Sequence, residues 1–524
     1  MRPLEILLSA TNLLGLAIVA IPRLRALRRT GSVVPVALLL AAAQVLVEGP
    51  RWQLAPAYAL TAILFLTWLT GIVRPSAVHV NRLVAGSAAG LGVPAALASV
   101  LLATVMPVFR FPEPTGPYAV GTATYHWVDA GRPELFTDAP DDHRELMAQV
   151  WYPAEPQPSA PRAPYIQDAE AVTSAMARLA GFPEPVFSQL GYVTTNAVTS
   201  ARMAADRPRH PVLISLTGLS GFRAASTFQI QELVSHGYVV VGLDQPGAAA
   251  MTRFPDGREI PGWPRDKIYP LISQSWTPRP DAPTLQGETL PDGIIPYFAQ
   301  DVSFALDRLA GLNEADPDGI LTGRLDLERA GVFGISWGGA TGAEACANDQ
   351  RLKACFIMDV QMTAHVVRAG LQQPVMFMTR DTETFRLERE RSGGWPEKEI
   401  SETIETMTDV YQRLPGAGYY VEVPGLFHVD FTDVPVWSPV TPQLGLNGTI
   451  DAQRAHDIIN AYSLAFFDKH LLGQSPSLLE FEGPSSRFPE ARFTPRQGGP
   501  EQPPAAAHPR CSAVLPSGRC KSMT

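Results

Sequence analysis

Gly331-Val332-Phe333-Gly334-Ile335-Ser336-Trp337-Gly338-Gly339-Ala340-Thr341 is an apolar run that ends in Gly-x-Ser-x-Gly and passes straight into small residues. Such a run followed by small residues predicts a strand, a tight turn and a helix, with Ser336 at the tip of the turn. The requirement is steric. The serine sits on a strained bend, and the flanking positions leave no room for a Cβ between the neighbouring strand and the helix. The bend lifts the hydroxyl clear of the sheet and sets it at a helix N-terminus, where free N–H groups favour developing negative charge. A five-residue pattern also arises by chance, so the remaining sequence must supply what a reactive serine needs.

The chain has 524 residues, enough for one large domain and an additional region. Its formal net charge is −9, with no basic block beyond the first hundred residues, which argues against a nucleic-acid partner. The four cysteines, Cys346, Cys355, Cys511 and Cys520, are too few for a disulfide scaffold and lack metal-site spacing. Proximity in sequence pairs them as Cys346–Cys355 and Cys511–Cys520 should the domain face an oxidising compartment. Proline is abundant at 49 residues and concentrates in loops and the tail.

Four apolar stretches precede residue 110, at 4–22, 32–47, 54–73 and 83–109. Each approaches the ~20 residues that cross a bilayer, the second being short. A signal peptide would show one such segment and a cleavage site, so four in succession predict a transmembrane region of four helices over 1–110. Arginine placement sets the orientation. The first connection holds Arg23, Arg25, Arg28 and Arg29, and the third holds Arg74 and Arg82, whereas the second has Arg51 offset by Glu48. The positive-inside rule then puts the first and third connections in the cytoplasm and everything after residue 110 outside. With no ionisable residue mid-span, the helices are expected to anchor rather than transport.

From 111 to 482, short apolar runs alternate with helical patterns. Strands are predicted at 147–152, 211–216, 238–243, 330–335, 354–360, 374–379 and 419–423. Helices are predicted at 226–236, 296–312, 337–347, 401–414 and 451–472. Several strand runs are continuous rather than alternating, as in strands buried on both faces of a parallel sheet. The expected fold is α/β, with a mostly parallel doubly wound sheet and functional loops at the strand carboxyl ends. Two Pro- and Trp-rich stretches, 251–295 and 433–447, are read as long loops serving as lid or pocket. From 483 to 524 Pro, Gly, Ser and Ala dominate without periodicity, which predicts a disordered tail.

A serine hydroxyl needs a base within hydrogen-bond reach, usually a histidine held by a carboxylate. On an α/β-hydrolase sheet the chain order is serine, acid, histidine. Of the histidines after Ser336, His365 comes too early, His456 and His470 lie on the last helix, and His508 is in the tail. His428 remains, in Pro424-Gly425-Leu426-Phe427-His428-Val429-Asp430, on the loop after the last predicted strand. Asp359 and Asp381 both end strands and both are candidate acids, with position slightly favouring Asp381. An oxyanion hole needs two backbone N–H groups: Trp337, next to the nucleophile, and one from Thr217-Gly218-Leu219-Ser220-Gly221-Phe222-Arg223, centred on Leu219.

At these residues the sequence resembles the plasma-type (isoform II) platelet-activating factor acetylhydrolases and their bacterial relatives. The resemblance is carried by Gly218-Leu219-Ser220-Gly221-Phe222-Arg223, Ser235-His236-Gly237-Tyr238-Val239-Val240-Val241, the Ser336 motif and Gln149-Val150-Trp151-Tyr152-Pro153. It covers about 145 to 472 and leaves out the N-terminal region. It implies that the acid is on the strand just after the turn, hence Asp359, that His428 is the base, and that Leu219 and Trp337 supply the oxyanion N–H groups. The sequence departs from the family pattern at Ile335 and Trp337, which bears on acyl-chain preference. The expectation is a membrane-anchored serine esterase acting on a short-acyl phospholipid or similar small-molecule ester, with no metal or organic cofactor. Rival expectations are a general carboxylesterase or polyester-type hydrolase, and a degenerate fold of this class used only for binding.

Overall fold

The computed structural model describes residues 1–21, 33–73, 82–139, 141–480, 483 and 485–496. Continuous apolar runs form the centre of an eleven-stranded sheet. Its strands are β1 (Ala119–Pro133), β2 (His143–Ala154), β3 (Arg162–Pro164), β4 (Thr194–Thr199), β5 (His210–Leu216), β6 (Val239–Asp244), β7 (Leu325–Ile335), β8 (Leu352–Met358), β9 (Val375–Thr379), β10 (Gly418–Glu422) and β11 (Arg492–Arg496). The spatial order is β11-β10-β9-β8-β7-β5-β6-β2-β1-β4-β3. From β6 to β10 all neighbours are parallel, and β2 joins β6 antiparallel. Every residue of β5 and β6 is buried, because helices cover both faces of the parallel core. The sheet is therefore that of an α/β hydrolase, and each predicted strand coincides with one of its strands, 354–360 running two residues past the end of β8.

From β5 the chain moves to β6 on one side and later returns to β7 on the other. Loops leaving β5 and β7 thus diverge at their carboxyl ends and open a crevice there. The helices that matter to this crevice follow the four helices of the N-terminal region and are numbered from α5. They are α5 (Thr227–Ser235), α6 (Ile295–Glu314), α7 (Trp337–Asn348), α8 (Thr382–Ser392), α9 (Glu397–Gln412) and α10 (Ala452–Leu472). A disulfide joins Cys346 on α7 to Cys355 on β8, the first of the two predicted pairs.

Two expectations need correction. The 251–295 stretch is not one long loop: a twelve-residue helix, Arg265–Trp276, forms inside it, with Ile268 and Ile272 buried one turn apart. The tail predicted disordered from 483 contributes β11, which pairs antiparallel with β10. Alternation in Arg-Phe-Thr-Pro-Arg turns Phe493 inward against Tyr419, with Pro495 on the free edge strand where its missing N–H is tolerated. Residues 497–524, with Cys511, Cys520 and His508, and the basic residues at 23–29 and 74, lie outside the described residues.

The N-terminal region forms four helices, α1 (Pro3–Ala20), α2 (Val33–Val47), α3 (Ala55–Val73) and α4 (Arg82–Val105). Among the described residues, two stretches, Pro3–Ala20 and Trp52–Thr70, are long and apolar enough to cross a membrane; Val33–Val47 and Gly90–Val105 are shorter apolar helices. The 15 residues of α2 reach only about 22 Å, short of a ~30 Å hydrocarbon core. Asn12 ties α1 to α3 through the Ala57 carbonyl at 3.1 Å and the Thr61 hydroxyl at 2.9 Å. At one end of the four helices Arg51 pairs with the buried Glu5 at 2.8 Å. That end also meets the sheet domain: the Tyr192 hydroxyl donates to the Pro50 carbonyl at 2.6 Å, Gln53 donates to Gln189 at 3.2 Å, and Ser438 donates to the Val105 carbonyl.

Candidate active site

Ser336 ends β7 and opens α7 with φ 56° and ψ −128°, a conformation that non-glycine residues adopt only under constraint. The constraint is visible on both sides. A Cβ on Gly334 would lie 2.4 Å from the Gly338 carbonyl oxygen, and one on Gly338 would lie 2.3 Å from that of Leu216. The turn is fixed in place by the Ser336 N–H, which donates to the Met358 carbonyl at 3.0 Å. Strand β7 is thereby in register with β8, Ile335 opposite Met358, and the residue directly after β8 is Asp359.

Asp359 also has a left-handed backbone, φ 47°, with its N–H donating to the Met378 carbonyl at 2.9 Å. Its fully buried carboxylate receives the Thr379 hydroxyl on Oδ1 at 2.7 Å and His428 Nδ1 on Oδ2 at 2.6 Å. The Arg380 guanidinium lies 3.1 Å from Oδ2. Burial alone pushes this carboxyl up, but Arg380, His428 and Thr379 together hold it below the usual carboxylate range. A neutral imidazole that donates from Nδ1 to a carboxylate carries its lone pair on Nε2. The loop that carries His428 is held by Asp430, whose Oδ2 accepts from the Phe427 N–H at 2.6 Å and the Gly448 N–H at 2.9 Å. Among the described residues the Ser336 hydroxyl makes no hydrogen bond, to His428 or otherwise.

The loop after β5 abuts the serine: a Cβ on Gly218 would sit 3.5 Å from that of Ser336. Its amides are not equivalent. The Ser220 N–H is spent on the Ala248 carbonyl at 2.8 Å and the Gly221 N–H on the Gly218 carbonyl at 3.0 Å. Leu219 has no such turn bond among the described residues, and Trp337 as the first residue of α7 belongs to the N–H groups a helix leaves without an internal partner. Trp337 is anchored by its ring, edge-on to Phe298 at 4.9 Å.

Asp381, the other candidate acid, is the N-cap of α8: its Oδ1 accepts from the Thr384 N–H at 2.9 Å, away from His428. His456 stacks on Phe228 at 3.7 Å and His470 meets the Tyr419 hydroxyl at 3.0 Å, both packed on α10. His365 pairs with Glu344 at 2.5 Å on the far side of α7. Among the described residues no group of three or more His, Cys, Asp or Glu side chains is placed to hold a metal ion. Sequence reasoning missed Arg380, Glu388 and Trp395, which surround His428 and Asp359. The available signal was a charged residue directly after an apolar strand, in Thr379-Arg380-Asp381, and a tryptophan behind two glycines.

Residues 318–476 match the family model of platelet-activating factor acetylhydrolase, isoform II. The chain is 26% identical over 270 residues to the platelet-activating factor acetylhydrolase of Cavia porcellus, covering 50% of this chain and 58% of that protein. It is 22% identical over 383 residues to that of Gallus gallus, covering 69% and 84% respectively. The chain thus spans less than two thirds of the guinea-pig protein's length. Among solved structures, a ferulic acid esterase from Streptomyces cinnamoneus superposes with a TM-score of 0.55 and 30% identity, over 74% of this chain and 99% of that one. Sheet order, the Gly-x-Ser-x-Gly turn and these likenesses place the chain among esterases of the α/β-hydrolase fold, with a stretch similar to platelet-activating factor acetylhydrolase, isoform II.

Proposed function

We propose that the protein is a serine carboxylic ester hydrolase with Ser336 as nucleophile, His428 as base and Asp359 as the triad acid. The observation that carries this reading is the 2.6 Å contact of His428 Nδ1 with a buried Asp359, one strand over from a strained serine. In the proposed cycle Ser336 Oγ attacks the ester carbonyl carbon while its proton passes to His428 Nε2. The Leu219 and Trp337 N–H groups receive the charge that builds on the carbonyl oxygen. The leaving alcohol takes the proton from His428 and departs, leaving an acyl-serine. Water, deprotonated by the same nitrogen, then releases the acid and restores the serine. Asp359 stays ionised throughout and orients the imidazole.

For the substrate we propose a short-acyl phospholipid, as the names of the curated relatives suggest, supplied from a membrane in which the N-terminal helices are embedded. The sheet domain would lie on the extracytoplasmic side. The buried Cys346–Cys355 bridge supports that side, since thiols stay reduced in the cytoplasm. A second reading, an ester with a bulky aromatic acyl group, is favoured by the likeness to the ferulic acid esterase.

Full-length protein in detergent should hydrolyse a short-chain nitrophenyl ester, lose this with Ser336→Ala, and turn over 2-acetyl phospholipid faster than a feruloyl ester. Faster feruloyl turnover would replace the phospholipid reading by the second one. Activity surviving Ser336→Ala would remove the nucleophile. Protease added to sealed cells should cleave the sheet domain; protection would reverse the orientation.

A further inference from the structure

Arg380 is fully buried and carries a charge that burial disfavours, yet it sits on the carboxylate proposed as triad acid. Resting on the serine-hydrolase reading, we propose that Arg380 and Glu388 form a positioning pair that sets the pH range over which His428 serves as base. Three observations converge on this pair.

The first is a shared atom. Asp359 Oδ2 is hydrogen-bonded to His428 Nδ1 at 2.6 Å and ion-paired with Arg380 Nη2 at 3.1 Å, so the guanidinium nitrogen is no more than about 6 Å from the imidazole. The second is a return path. Arg380 also pairs with Glu388 on α8, and Glu388 accepts the backbone N–H of His428 at 3.0 Å and the Trp395 indole N–H at 3.2 Å. The third is the aromatic frame. The guanidinium lies over the Phe385 ring at 3.9 Å and the Trp395 ring at 4.4 Å, and Trp395 meets the His428 ring edge-on at 5.0 Å. Gly393, Gly394 and Trp395 all have positive φ, 82°, 79° and 51°, in the loop that carries that indole between the guanidinium and the imidazole. The result is a closed circuit of contacts from Asp359 through Arg380 and Glu388 back to His428.

The charges around the imidazole then have definite signs. Asp359 and Glu388 favour the imidazolium and Arg380 opposes it. Farther out, Glu399 on α9 senses both Arg380 and His428, with Arg265 facing it, and Asp430 senses Arg380. Deleting Arg380 leaves two carboxylates against the ring, so the imidazole stays protonated, and unusable as a base, to higher pH. Deleting the Glu388 charge leaves Arg380 less compensated and does the opposite. A pair that merely packed would lower the rate without moving the profile.

The test is kcat/KM against pH, from about 4.5 to 9, for the full-length protein on a short-chain nitrophenyl ester. Folded active sites are counted by fluorophosphonate labelling, which reports separately on Ser336. Arg380→Met should move the acid limb up by about one to two pH units, and Glu388→Gln should move it down by up to about one. The double variant should return close to wild type, and Arg380→Lys should hold the limb in place. Acid limbs unmoved in Arg380→Met and Glu388→Gln overturn the proposal, whatever the loss of rate. Should Arg380→Met not fold, Glu388→Gln decides alone, because it removes the charge while keeping the side-chain shape and one acceptor oxygen, for either the His428 or the Trp395 N–H: a downward shift supports the proposal and an unmoved limb overturns it. Labelling that persists in Ser336→Ala refutes the serine reading itself and is seen independently of either shift.

Discussion

Replacing Asp359 by Asn discriminates most sharply between the two aspartates that end neighbouring strands. Asp359 Oδ1 accepts from the Thr379 hydroxyl at 2.7 Å, and Oδ2 accepts from His428 Nδ1 at 2.6 Å. If the Asn oxygen stays with Thr379, its NH2 faces His428 Nδ1, which must then accept. The proton moves to Nε2 and the histidine can no longer take one from Ser336. Loss of the correct tautomer typically lowers kcat by about 10⁴, equivalent to about 5.4 kcal/mol of barrier. Folding suffers too, because the change leaves the buried Arg380 with Glu388 as its remaining ion-pair partner among the described residues; breaking a buried pair costs about 3–5 kcal/mol where nothing compensates. Asp381→Asn is the control. Asn caps helices about as well as Asp, so α8 should lose no more than about 0.5 kcal/mol and turnover should stay within about twofold. Rates are measured per folded site after fluorophosphonate titration, with circular dichroism to confirm the fold. A loss of orders of magnitude in Asp381→Asn, with Asp359→Asn near wild type, would refute the assignment.

Gly338→Ala places a Cβ 2.3 Å from the Leu216 carbonyl oxygen; it should destabilise the domain by about 1–3 kcal/mol or more and abolish ester turnover, read by thermal melts and rates. Burial pushes the Asp433 carboxyl up to about 7, although the Thr227 and Phe228 amides of α5 oppose this. Its contribution to stability is therefore full below the unfolded value near 4 and is lost as pH rises to about 7, so Asp433→Asn should flatten the fall of Tm across that window. An unchanged slope of Tm against pH would contradict the buried, proton-holding carboxyl. Removing the Cys346–Cys355 bridge by double Ser substitution opens a loop of nine residues and should cost about 2.6 kcal/mol by chain entropy, with turnover per folded site kept. A change in turnover per site would mean that the bridge positions Ser336 or Asp359 directly.

The parts of the fold that local pattern determines were legible. Runs such as 211–216 and 354–358 are apolar because both their faces are covered, and that fixes the parallel core without any knowledge of partners. Ser336 was readable because two glycines are a steric necessity of its turn. Strand β1 was not, since its alternating, partly polar residues are explained only by the neighbours β2 and β4. Strand β11 hid inside a Pro-rich tail for the same reason. The choice between Asp359 and Asp381 could not follow from spacing: both end strands, and only the loop from β10 decides which carboxylate the imidazole meets. Arg380, Glu388 and Trp395 are separated by eight and seven positions on a helix and a bent loop, and nothing in sequence brings them to one point.

In the proposed reaction Ser336 is the group that becomes acylated, with His428 drawing off its proton. Intact mass and peptide mapping of the full-length protein after a short-chain nitrophenyl ester and rapid acid quench test it directly. One acyl group is expected on the peptide holding Ser336, absent in Ser336→Ala and formed far more slowly in His428→Ala. An acyl group on any other residue, or ester turnover at the wild-type rate without one in Ser336→Ala, would contradict it.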